Sequence, residues 1–133
     1  MGRVAALDLG EARTGVALSD PTRSLASPLE VVASGEIDGC LRRLVDEEGV
    51  REVVAGVPRT MSGETGFQAE RALAEIQRLR DTFPEVSFVE WDERLTTRLA
   101  GPAPSRKKKG SKEPVDHLAA ARILQEYLDR RSS

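Results

Sequence analysis

Arg3-Val4-Ala5-Ala6-Leu7-Asp8-Leu9-Gly10-Glu11-Ala12-Arg13-Thr14-Gly15-Val16-Ala17-Leu18 contains two short apolar runs, 3–9 and 14–18, divided by Gly10 and its polar neighbours. Aliphatic runs of that length broken by a turn read as paired strands, so the chain opens on a hairpin. Segment 29–33 (Leu-Glu-Val-Val-Ala) reads as a third strand. Ile37, Leu41, Leu44 and Val45 then fall at i, i+4, i+7 and i+8 of a helix that stops near Gly49. Val53 to Val57 is a buried strand, followed by a loop from Pro58 to Gly66. Leu73, Ile76, Leu79, Arg80 and Phe83 continue a helical stripe closed by Pro84. Val86 to Trp91 is strand again, Asp92 to Ala100 begins a short helix, and Val115 to Arg130 carries a last amphipathic helix. The order βββαβα, then βα and a final helix, predicts an α/β domain. Its mixed sheet combines an antiparallel three-strand meander with parallel strands and is flanked by helices. Strand order within that sheet is not readable from propensity.

With 133 residues, 39% of them apolar and 32% charged, the chain supports one core, and we expect a single domain over residues 1–133. One cysteine, Cys40, excludes a disulfide framework or a multi-cysteine zinc site within a monomer. Cys40 lies between Ile37 and Leu44 and is expected to be a small, partly buried hydrophobe. No leader-like or membrane-spanning apolar run is present, so a cytoplasmic protein is expected. A net charge of −2 argues against a protein that coats nucleic acid through bulk charge. Local patches must serve instead, and residues 106–112 place five cations in seven positions: Arg106, Lys107, Lys108, Lys109 and Lys112. A solvated loop is the plain alternative for that run. Three Phe, one Trp and one Tyr are too few for an extended base-stacking platform.

Three carboxylates occupy unusual places. Asp8 ends an otherwise apolar strand, where ligands of open α/β sheets gather. Gly10 after it allows a close approach, and Arg13 offers a cation for phosphate. The alternative is an Asp that only closes a turn. Asp92-Glu93 follows another strand tip, with Asp92 suited to a helix N-cap and Glu93 to first-turn charge. Asp116 precedes Ala120, Ile123 and Tyr127 at i+4, i+7 and i+11, on the face that packs against the sheet, although a capping role competes here too. Three carboxylates from separate segments at one end of a sheet make an all-oxygen site for Mg²⁺ or Mn²⁺. Such a site performs metal-assisted phosphodiester hydrolysis.

The motifs resemble the YqgF or RuvX family, relatives of RuvC-type junction resolvases within the ribonuclease H-like superfamily. Four blocks carry the resemblance: Ala6 to Ala17 (Ala-Leu-Asp-Leu-Gly-Glu-Ala-Arg-Thr-Gly-Val-Ala), Gly56 to Gly63 (Gly-Val-Pro-Arg-Thr-Met-Ser-Gly), Asp92 to Thr97 (Asp-Glu-Arg-Leu-Thr-Thr) and Val115 to Gln125 (Val-Asp-His-Leu-Ala-Ala-Ala-Arg-Ile-Leu-Gln). The resemblance implies a ribonuclease H-like fold, with Asp8, Glu93 and Asp116 as catalytic acids and metal ligands. Spacing alone does not choose Glu93 over Asp92. It also implies a nuclease maturing the 5′ end of the small-subunit ribosomal RNA precursor, or alternatively a Holliday junction resolvase acting on branched DNA. Arg13, Arg59, Arg94, Arg106, Lys107, Lys108 and Lys109 are the candidate nucleic-acid contacts, and a homodimer would suit a two-fold substrate. Arg59-Thr60 replaces the family's usual Leu-Asn, and Ser62 a usual Asp.

Two other readings compete. Asp8-Leu-Gly10 is also similar to the first phosphate loop of actin-like ATPases, but those enzymes close two lobes around a nucleotide and this chain builds one. Gly10 to Gly15 has Walker spacing without the Lys-Ser/Thr that such a loop needs. The rival from another class is a non-catalytic RNA-binding module that keeps the fold and uses only its basic loop. Of the remaining residues, His117 is expected to be an exposed helix histidine, although it adjoins Asp116. Arg94 and Arg98, one helical turn apart, are candidates for phosphate.

Overall fold

A computed structural model describes residues 2–58, 66–93 and 117–132. The opening hairpin is formed by β1 (Arg3–Leu9) and β2 (Arg13–Ser19), antiparallel, with Asp8 opposite Gly15. β3 (Ala26–Ala33) adds a third antiparallel strand. It starts three residues before the run predicted at 29–33 and takes in Pro28. As an edge strand it tolerates a residue with no N–H to donate, and the register slips at that point, between Val16 and Ala17.

A 3₁₀ turn (Ser34–Glu36) leads into α1 (Ile37–Glu48), which buries Ile37, Cys40, Leu41, Leu44 and Val45, the stripe expected from its spacing. Gly49 ends α1 in the left-handed region at φ 72°, where a side chain would be strained. β4 (Val50–Val57) starts at the next residue. α2 (Phe67–Thr82) follows and buries Ala69, Ala72, Ile76 and Leu79. Its core face therefore begins with two alanines that an apolar-stripe reading starting at Leu73 passes over, and their small size lets the helix lie close to the sheet. β5 (Ser87–Asp92) and α3 (His117–Ser132) complete the described elements.

The sheet order is β3-β2-β1-β4-β5, with β4 parallel to both β1 and β5. Period-two alternation divides its side chains between two cores. Ala5 and Leu7 of β1, Val53, Ala55 and Val57 of β4, and Phe88 of β5 pack beneath α1 and α2. Val4, Ala6, Val54 and Trp91 face the opposite way, against Ala120, Ile123, Leu124 and Leu128 of α3. Trp91 meets Tyr127 edge to face at 5.9 Å. Among the described residues no helix is long and apolar enough to cross a membrane.

Cys40 is more deeply buried than expected, at 3% exposure, with its thiol 3.5 Å from Oε2 of Glu30. Burial first, and then the Glu30 charge, push its pKa up to about 11. A disulfide reagent at pH 8 is therefore expected to label Cys40 only as fast as the protein unfolds. Stopped-flow labelling, compared with the unfolding rate, checks this, and fast labelling of folded protein would contradict it.

Candidate active site

Alternation on β1 puts Asp8 on the face of Val4 and Ala6, pointing toward α3, at the carboxyl end of the strand. The side chain is 8% exposed, one of three buried polar residues among those described, with Thr14 and Ser19. Ser19 accepts the Val4 N–H at 3.0 Å and Thr14 meets the Ser34 hydroxyl at 3.1 Å, so those two serve the sheet itself. Asp8 has a different neighbour.

That neighbour is Glu93, the residue after β5. Asp8 and Glu93 share a side-chain hydrogen bond. Burial first, and then the charge of Asp92, push the Glu93 carboxyl above its ordinary range, against the opposing pull of the proton shared with Asp8. Two carboxylates in contact out of water cannot both be charged without a positive partner.

Gly56 of β4 makes the approach possible. A Cβ at this position would lie 2.5 Å from Oε2 of Glu93 and 2.9 Å from Cδ1 of Ile123. The absent side chain is thus what admits both the Glu93 carboxylate and α3 to the sheet surface. β4 runs parallel between β1 and β5, so the carboxyl ends of all three strands, bearing Asp8, Gly56 and Asp92, lie together.

A cleft of about 350 Å³ opens over the pair. Asp8 and Glu93 share its lining with Gly10, Arg13, Gln68 and Arg71. A neighbouring groove of about 660 Å³ runs between the Ser34 turn and α2, and Leu9, Gly10, Glu11 and Arg71 line both. Of the sequence-predicted site residues, the structure thus brings together Asp8, Glu93 and Arg13. Asp116, Arg59, Arg94 and the basic residues Arg106, Lys107, Lys108 and Lys109 lie outside the described residues, as do Met61 and Arg98. His117 departs from expectation. It is half-buried, with Nδ1 closed off from solvent and lacking a hydrogen-bond partner, because α3 starts against the sheet rather than in solvent. Sequence reasoning missed Gln68 and Arg71. They stand on a helix whose periodicity identifies its buried face but not which polar residue meets a cleft.

The donor set suits a hard divalent cation. Both described acids are oxygen donors, and a cation between them would offset the burial cost that, with the Asp92 charge, raises the Glu93 pKa. Among the described residues these two acids are not joined by a third His, Cys, Asp or Glu.

Comparison with known proteins bears on family and fold. The RuvX family, described as Holliday junction resolvase, matches residues 2–130. A protein of Rubrobacter xylanophilus provisionally named a pre-16S rRNA nuclease is 64% identical over 129 residues, covering 96% of this chain and 93% of the relative. Another of the same name, from Desulforudis audaxviator, is 40% identical and covers 98% and 96% of the two chains. Among solved structures, T. thermophilus RuvC in complex with a Holliday junction substrate matches 99% of this chain and 96% of that one, with a TM-score of 0.61 at 17% identity. A likeness at that identity concerns the fold, which is ribonuclease H-like.

Proposed function

This chain belongs to the RuvX family, and on that premise we propose that it is a metal-dependent nuclease of the cytoplasm. The favoured substrate is the precursor of the small-subunit ribosomal RNA, cut at its 5′ side, in keeping with the names of its relatives. The reading takes residues 1–133 as a single catalytic domain.

One observation carries the proposal: a carboxylate pair, buried Asp8 and half-buried Glu93, lining a cleft together with Arg13 and Arg71. Asp8 and Glu93, with Asp116 as the third acid, would hold Mg²⁺ or Mn²⁺. When bound, such ions supply hydroxide at neutral pH and stabilise the departing oxygen of a phosphodiester. The protein's own part is to keep the two carboxylates dry and in place, with Gly56 beneath Glu93 and Leu7 and Ala6 anchoring the strand before Asp8. Arg13, with Arg59, Arg94 and the basic run Arg106 to Lys109, supplies backbone contacts that do not depend on base identity. Net charge is −2, so these contacts act locally rather than through the field of the whole protein.

The test is cleavage of a 5′ precursor RNA fragment and of a four-way DNA junction, side by side, with Mg²⁺ or Mn²⁺ and again in chelator. Metal-dependent cutting of the RNA alone is the expected result. Symmetrical cutting of the junction would move the assignment to resolvase, the reading favoured by the family description. A homodimer would then match the two-fold substrate, and ultracentrifugation would detect it. RNA binding that is indifferent to metal, with nothing cut, would leave a binding module.

A further inference from the structure

Arg71 stands on the wall shared by the cleft over Asp8 and Glu93 and the groove beside it. Its Nε is shut off from solvent and has no hydrogen-bond partner among the described residues. Its neighbour on the helix is already engaged. Glu75, one turn further along α2, accepts from Nε and Nη2 of Arg78 at 3.1 and 2.8 Å. Arg78 also forks onto both oxygens of Asp38, at 3.0 and 2.8 Å. Of two arginines on the same helix lining the same groove, one is thus saturated with carboxylate and the other has none among the described residues.

A desolvated guanidinium nitrogen without an acceptor carries an unrecovered cost, and folded proteins leave few of them. Packing alone gives α2 no need of this charge, since Ala69, Ala72, Ile76 and Leu79 supply its buried face. What Nε lacks is an acceptor, and the cleft that Arg71 borders is where an acceptor with two oxygens would enter. A phosphodiester presents two non-bridging oxygens, which match the arginine fork.

We infer that Arg71 binds a phosphate of the substrate strand beside the Asp8–Glu93 pair, fixing the strand's register over the carboxylates. This rests on the nuclease reading above and adds to it a substrate contact from α2, outside the basic residues recognised in the sequence. Its charge also offsets the acidic floor of the cleft, where Glu11 adds to Asp8 and Glu93.

The experiment compares wild type with Arg71→Met, Arg71→Lys and, as a control, Arg43→Gln, whose arginine on α1 pairs with Glu30 of β3. Binding of the RNA fragment and of the DNA junction is measured in chelator across a salt series. Thermal unfolding is followed on the same samples. Arg71→Met keeps the unbranched stem and removes the charge. It is expected to weaken binding about 10- to 100-fold. The slope of log affinity against log salt should fall by about 0.7 to 0.9, the value of one lost phosphate contact. Its melting temperature should equal or exceed that of wild type, because an unpaired buried nitrogen is removed. Arg71→Lys should keep most of the salt slope and lose part of the affinity, a lysine being a point charge without the fork. Wild-type affinity and slope in Arg71→Met, or a loss of binding that only tracks a lower melting temperature, would overturn the inference alone. If wild type binds neither probe, the nuclease reading falls and this contact falls with it.

Discussion

Asp8→Asn is expected to lower metal-supported cleavage by at least about 10³-fold, the scale of several kcal/mol of lost transition-state charge stabilisation. The folded protein should be as stable as wild type or more so. Asp8 is 8% exposed, and burial holds the Glu93 carboxyl beside it above its ordinary range, so this corner of the fold does not depend on a full charge at Asp8. An amide of the same shape keeps a hydrogen bond to Glu93. Two signatures should therefore separate: activity falls, while thermal unfolding without metal stays level or rises. Added Mn²⁺ should raise the melting temperature of wild type by mass action and do little for the variant.

The pH dependence has a defined sign. The folded-state pKa of Glu93 is raised, so the metal-free protein loses stability as pH climbs from the ordinary carboxylate range through that raised value. Metal affinity should climb over the same interval, because the cation displaces the proton. Full activity in Asp8→Asn, or Mn²⁺ stabilisation equal to that of wild type, would remove Asp8 from the metal site.

Gly56→Ala is expected to separate stability from activity in the opposite proportion to an ordinary core substitution. Its Cβ would meet Oε2 of Glu93 at 2.5 Å and Cδ1 of Ile123 at 2.9 Å. Both obstructing atoms end flexible side chains, so the fold can yield, and a loss of about 1 kcal/mol, the low end for overpacking, is expected in urea unfolding. The Glu93 carboxylate would have to shift from its place over Gly56, which is expected to disturb its approach to Asp8. A displacement of that kind on the order of 1 Å costs about 10²-fold in rate. Adding Ile123→Val removes Cδ1 and should recover much of the stability without recovering activity. If Gly56→Ala cleaves as well as wild type, the close approach of Glu93 to β4 has no catalytic meaning.

Much of the architecture was legible because its signals are local. The apolar runs of β1 and β2 around Gly10, the i, i+4, i+7, i+8 stripe of α1 and the left-handed stop at Gly49 each depend on near neighbours in sequence. β4 and β5 are short apolar strands bounded by turns and were found for the same reason. The errors arose where a local rule met a tertiary exception. Pro28 sits in a strand because the strand is at an edge, and α2 packs through alanines that a hydrophobicity pattern passes over. His117 is half-buried because α3 lies on the sheet.

The carboxylates divide along the same line. Asp8 was conspicuous in sequence, since an ionisable group ending an apolar strand needs a reason to be there. Asp92 and Glu93 are equivalent to any periodicity argument, and family resemblance alone favoured the second. Folding separates them: β5 keeps its register with β4 through Asp92, and the next residue turns over Gly56 to meet Asp8. Arg71 left no trace in the sequence, because an arginine on an amphipathic helix looks the same whether it is solvated, paired or waiting for a ligand. Sequence alone determined the elements, the mixed α/β class and the acid at the tip of β1, through interactions spanning a few residues. Only the tertiary structure decided which glycine lets Glu93 reach Asp8 and which arginine nitrogen is left without a partner among the described residues, because both depend on contacts between segments remote in sequence.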